Sequence, residues 1–197
     1  MKKIALEDIK TLAEYETVRE DFRRRIIDIK KRRRLPVGDR VSLLFENRDT
    51  VLFQIQEMVR AERITALQAI QEEIDVYNRS VPAADELSAT MFIEITERES
   101  IRAEVDRLIG VNEKITLHIG EKHTIPAVFE PGWSREDRIA AVQYVKFPLT
   151  AEQSEAFVAG REPIVIEIDH PNCQARAQMP QEVRQALAEG MASSETS

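Results

Sequence analysis

The sequence predicts an α+β fold: a mostly antiparallel or mixed sheet, with a long N-terminal helix and a helical hairpin packed on it. Three observations lead there. Apolar residues step by three and four through much of the first half, they alternate by two through most of the second, and the alternating segments are joined by short turns more often than by crossover-length stretches.

The elements follow in order. Leu12, Tyr15, Val18 or Arg19, Phe22, Ile26 and Ile29 make one stripe, so a single amphipathic helix is expected over about 6–33. Residues 30–34 supply the cations favoured at a helix C-terminus, before Pro36 and Gly38 stop it. Alternation over 40–46 puts Val41, Leu43 and Phe45 on one side of a short strand. Asn47 or Asp49 caps a second helix with Val51, Leu52, Ile55, Met58 and Val59 on one face, ending near Ile64. Thr65 with Gln68 has capping-box spacing and opens a third helix through Leu67, Ile70, Ile74 and Tyr77, completing the hairpin. Leu87, Ala89, Met91, Ile93 and Ile95 alternate as a strand covered by helices on one face. Thr96 and Glu99 box the start of a fourth helix, with Ile101, Val105 and Leu108, that Gly110 closes.

Strands are then expected over 115–119, 125–129 and 139–147. Thr150 and Gln153 cap a short helix ending at Gly160, and Ile164 to Ile168 return through the turn His170-Pro171-Asn172 as a hairpin. Pro180 opens a last helix, with Val183 and Leu187, that Gly190 closes.

The length of 197 residues suits one α+β domain over 1–190, followed by a small, polar tail at 191–197 expected to be disordered. With 28 Lys and Arg against 35 Asp and Glu the net charge is −7, so the surface as a whole is no cationic nucleic-acid binder. The basic run 23–34 has eight cations and one acid but no interleaved aromatic residue to stack on bases, and nucleic acid is not the expected partner. One cysteine, Cys173, rules out an intramolecular disulfide and an all-cysteine metal site within the chain. No stretch approaches the ~20 apolar residues of a membrane span, and no signal-type apolar core follows Met1, so a cytoplasmic location away from membranes is expected. Phosphate-loop, dinucleotide, nucleophile-elbow and paired-histidine zinc motifs are missing among only six glycines.

Several residues carry chemical interest. A two-residue turn at Gly120-Glu121 would pair Ile119 with Lys122 and set His118 opposite His123, two imidazoles able to share a divalent metal such as zinc or iron. Glu57, Glu62 and Glu94 invite comparison as carboxylates that are costly to bury unpaired; structural pairing with Arg60, Arg98 or Arg102 is favoured over a metal or catalytic role. His170 stands three residues before Cys173, close enough for an imidazolium to activate the thiol. The polar face of the second helix, with Gln54 and Gln56 beside Glu57 and Arg60, has the donors and acceptors of a specific network. Gln54, Glu57, Arg60 and Glu94 are therefore expected to line one pocket.

The runs 45–50 and 54–62 (Phe45-Glu46-Asn47-Arg48-Asp49-Thr50 and Gln54 to Glu62), together with Tyr77-Asn78 and the strand from Leu87, resemble a family of functionally uncharacterised bacterial proteins of about 200 residues. Members of that family are often encoded beside rubrerythrin and a heterodisulfide-reductase-like iron–sulfur protein. The resemblance implies a link to non-haem iron redox chemistry or peroxide defence, with such a protein as partner. The matching residues are Glu46, Asn47, Gln54, Gln56, Glu57, Arg60, Glu62, Tyr77, Asn78 and Glu94. The expected function is a cytosolic binding or accessory protein that forms a homo-oligomer through its first helix. The alternative is a metal-dependent enzyme using carboxylate and histidine ligands.

Overall fold

A computed structural model describes residues 1–94, 101–129, 134–135 and 138–192. Its helices are α1 (Leu12–Lys31), α2 (Arg48–Ala61), α3 (Leu67–Tyr77), α4 (Ile101–Asp106), α5 (Ala151–Ala159) and α6 (Gln181–Ala192). The strands are β1 (Arg34–Val37), β2 (Val41–Phe45), β3 (Glu86–Ile93), β4 (Ile115–Ile119), β5 (His123–Pro126), β6 (Val128–Phe129), β7 (Ser134–Arg135), β8 (Arg138–Ile139), β9 (Val142–Pro148), β10 (Ile164–His170) and β11 (Cys173–Gln178). They form a five-stranded sheet in the order β1-β2-β3-β9-β6, a four-stranded sheet β11-β10-β4-β5 and the small pair β7-β8. Every pairing is antiparallel, so the α+β class expected from the alternation holds.

The two larger sheets share one core. Leu43, Phe45, Met91 and Phe147 from the first meet Leu117, Ile119, Ile166 and Ile168 from the second, and Phe157 of α5 with Leu187 of α6 joins them. A separate cluster lies on the helical side, where Val51, Ile55 and Val59 of α2 pack against Ile70 and Ile74 of α3 and against Ile4. Between the clusters, β3 is buried on both faces, by helix on one and by the second sheet on the other. Leu87, Ala89 and Met91 point to the sheet–sheet core, while Ser88 and Thr90 face the α2 side and are buried there too.

That polar face is organised by Glu46. Its carboxylate, 4% exposed, accepts from Thr50 Oγ1 of α2 and from Thr90 Oγ1 of β3 at 2.5 and 2.6 Å. Asn47 caps α2 as expected, its Oδ1 accepting from Thr50 N at 2.9 Å.

Four boundaries differ from expectation. The first helix is split: Leu6–Asp8 is a single 3-10 turn, and α1 starts afresh at Leu12 because Thr11 and Glu14 form their own capping box. Its basic end runs straight into the sheet: Arg33 is buried and Arg34 opens β1, an edge strand paired with β2 that periodicity alone did not reveal. Thr65 does not cap α3, whose N-cap is Ala66 without a side-chain bond. The last helix runs through Gly190 to Ala192, with Met191 buried against the core, so the chain stays helical past the expected end at 190. Ile95, Thr96, Arg98 and Glu99, the side chain of Arg102 and residues 193–197 lie outside the described residues.

Replacing the α2 cap tests this organisation: Asn47→Ala is expected to cost about 1–2 kcal/mol in urea denaturation, because it orphans Thr50 N beside the buried Glu46.

Candidate functional site

Two of the amide side chains singled out by the sequence, Gln56 and Asn78, serve the N-terminal segment. Gln56, 2% exposed, donates through Nε2 to Lys10 O at 3.0 Å and accepts at Oε1 from Lys10 N at 2.9 Å. Asn78 repeats the device at Ile4, with both bonds at 2.9 Å. A segment outside helix and sheet has no ladder for its main chain, and an amide side chain carries the adjacent donor and acceptor that replaces one. Lys3 adds two bonds to the carbonyls of Asn78 and Val81 at 2.7 and 2.9 Å.

Glu57 and Arg60 hold α1 instead. Glu57 accepts from Tyr15 Oη at 2.8 Å and takes a two-pronged contact from Arg19, Nε at 2.7 Å and Nη2 at 2.8 Å. The Arg19 guanidinium keeps the Glu57 carboxyl below its ordinary range. Burial, reinforced by the Glu57 acceptor, pushes the Tyr15 hydroxyl well above its own. Arg60 Nε donates to Glu16 at 2.5 Å.

The expected single pocket of Gln54, Glu57, Arg60 and Glu94 does not form. Gln54 turns the other way, to Tyr144 Oη at 3.5 Å and toward Tyr77. Glu62 ends α2, where its charge and that of Glu73 add to the burial that raises the Tyr77 hydroxyl. Glu94 sits beyond the end of β3 and accepts from Arg34 at 2.9 Å and from Ser42 at 2.5 Å. A helix shows its polar residues to whatever packs around it, and the neighbours here lie on different sides of α2.

The histidine pair also separates. β4 and β5 are joined by three residues, with Ile119 opposite His123 and His118 opposite Thr124. That one-residue shift from the expected register sends the two rings to opposite faces. Gly120 has φ +57°, and a Cβ there would stand 2.9 Å from a Glu162 oxygen, which is why the turn starts at this residue. His118 Nε2 lies 3.0 Å from Glu167 Oε2 and Nδ1 3.3 Å from Thr124 Oγ1. Among the described residues no group of three His, Cys, Asp or Glu side chains is placed to hold a metal ion. Activation of Cys173 by His170 is likewise replaced: His170 Nε2 is 3.0 Å from the Ile109 carbonyl and Nδ1 accepts from Asn172 N, while burial pushes the thiol up.

What the structure adds is a groove of about 410 Å³ between α1, α2 and the N-terminal segment. Tyr15, Val18, Phe22 and Leu52 give it an apolar wall, and Asp8 and Arg25 stand among its charged residues. Arg25 lies over the Phe22 ring at 5.3 Å, and Phe22 meets Phe53 edge-on at 5.5 Å. Tyr15 and Arg19 were legible only as members of an apolar stripe. The signal that could have found them is an arginine inside that stripe, which demands a carboxylate on the facing helix.

The α1–α2 contact predicts a pH effect. Glu57 has its pKa lowered on folding, so its pairing adds stability above the ordinary value of 4.5 and loses it as pH falls through the depressed value. Glu57→Gln is expected to cost about 1–3 kcal/mol at pH 7, with the difference from wild type narrowing in acid; urea melts at both pH values check it.

A crystal structure from Burkholderia pseudomallei, described as a novel protein of unknown function, is similar at TM-score 0.90 and 30% identity, over 96% of this chain and 99% of that one. No curated protein matches. No helix among the described residues is long and apolar enough to cross a membrane. The family model for DUF3501, proteins of unknown function, matches residues 3–191, and the chain belongs to that family.

Proposed function

We propose that this chain is a binding or accessory protein that works as a homodimer, with α1 of one copy lying antiparallel against α1 of the other. The observation that carries the reading is the exposure of α1. Of its 20 residues only Tyr15 and Ile26 are buried, and Val18 and Ile27 stay 37% and 38% exposed. A helix of that length is held in a monomer by few apolar contacts, and its stability rises when a partner covers it.

Charge supports a second copy of the chain as the partner. The first half of α1 carries Glu14, Glu16, Glu20 and Asp21 against Arg19 alone, and the second half carries Arg23, Arg24, Arg25, Lys30 and Lys31 against Asp28 alone. Laid antiparallel, two copies bring acidic halves against basic halves; laid parallel, they set like charges together. In this reading the dimer is the form that meets an iron–sulfur or rubrerythrin-type redox protein, the partner class implied by the sequence resemblance.

The test is charge reversal at exposed positions. Arg23→Glu with Arg24→Glu, and separately Glu20→Lys with Asp21→Lys, are each expected to give monomers in sedimentation, while an equimolar mixture of the two variants regains the dimer mass. A wild-type chain that stays monomeric at about 100 μM, weaker than any dimer of ordinary affinity, overturns the reading.

A further inference from the structure

A second cleft lies on the other side of the N-terminal segment. It encloses about 400 Å³ where the end of α1, the start of α2 and the last turns of α6 meet. Lys2, Arg32, Arg33 and Arg48 line it against two carboxylates, Asp49 and Glu189, in a chain whose net charge is −7. Asp49 is already drawn to Arg25 at 3.3 Å.

Two of the cations are incompletely used. Arg33 is 4% exposed, and its guanidinium makes no hydrogen bond or ion pair within 4 Å among the described residues. Glu46 is near enough to attract its charge, but both Glu46 oxygens are held by Thr50 and Thr90. Arg48 gives Nη2 to Asp8, yet its Nε is buried and has no partner among the described residues. A buried donor left as Arg48 Nε is costs about 1–3 kcal/mol, more when charged, unless something else accepts from it.

The start of α2 adds to this. Thr50 N is taken by the Asn47 cap, but Arg48 N and Asp49 N are first-turn donors with no carbonyl behind them in the helix. Gly190 stands in the interior of α6, where glycine costs about 1 kcal/mol relative to alanine. A Cβ at 190 would come within 2.9 Å of Met1 Cε and 3.2 Å of the Arg33 Nη2, so the glycine leaves room for both side chains. The missing side chain leaves the guanidinium room at the wall of the cleft.

We propose that this cleft binds a small, soluble phosphate monoester, with Arg33, Arg48 and the first turn of α2 holding its phosphate oxygens. A guanidinium fork from the junction of α1 and β1 meets a lone N–H and N-terminal amides from the first turn of α2. A tetrahedral group with three acceptor oxygens meets all of them, whereas a planar carboxylate fills one fork. Burial lowers the Arg33 pKa only to about 10, so the group remains charged at neutral pH.

Calorimetric titration of the full chain with inorganic phosphate and with glycerol 3-phosphate, at ionic strength fixed with chloride, tests the proposal. Both are expected to bind at one site, at least tenfold tighter than malonate. Arg33→Met strands the buried Glu46 and risks the fold, so Arg48→Gln and Gly190→Ala are the deciding variants. Each is expected to weaken phosphate at least tenfold with the thermal transition still cooperative, and Lys122→Gln, remote and exposed, leaves binding unchanged. Phosphate binding no tighter than malonate, equal binding by wild type and both deciding variants, or binding to phosphatidate vesicles without binding to glycerol 3-phosphate overturns it.

Discussion

One buried carboxylate determines where the layers of this protein can sit. Glu46 follows β2 and precedes α2, and its side chain is removed from water between the sheet and that helix. A charge in such a place is stable only if its oxygens are taken, and here a threonine from each side takes one. Glu46 N also donates to Ser88 O at 2.8 Å, which continues the β2–β3 ladder by one bond. The start of α2, the register of β2 on β3 and the polar inner face of β3 are therefore three consequences of one satisfied group. The Arg33 charge nearby lowers the cost of burying it and brings the end of α1 to the same point.

The outer elements depend on that frame through polar devices more than through apolar area. The N-terminal segment is fastened at Ile4 and Lys10 by the side-chain amides of Asn78 and Gln56, each satisfying a donor and an acceptor together. Helix α1 is fastened through Tyr15 and Arg19 to Glu57 and through Arg60 to Glu16. Polar fasteners tolerate a displaced partner poorly but leave apolar surface uncovered, and Val18 and Phe22 are left in the wall of the groove beside α1. Architecture and binding surface are thus linked: what holds α1 down is also what leaves its flank open.

The polar residues on which a site was expected are explained largely by this fastening. Gln56 and Asn78 replace a missing ladder, Glu57 and Arg60 pair across two helices, and Glu94 joins Arg34 and Ser42 near the sheet edge. Their residue types are demanding because each must match a partner distant in the chain. Position along α2 could show that such side chains share a helix, but not which neighbour each one meets.

Local chemistry decided much of the fold in advance. The class, the helical hairpin, the Asn47 and Thr150 caps and the closing hairpin of β10 and β11 all follow from periodicity and capping residues a few positions apart. Tertiary structure decided what depends on distant partners. The break before Thr11 forms because Gln56 takes the Lys10 main chain while Glu14 boxes Thr11; β1 exists because β2 offers it an edge; and the β4–β5 register shifts by one residue where Gly120 turns against Glu162. Sequence patterns register the burial of a face, which is local and periodic. They do not register a hydrogen-bond partner 40 or more residues away, and Tyr15 to Glu57, Thr90 to Glu46 and Asn78 to Ile4 are all of that kind.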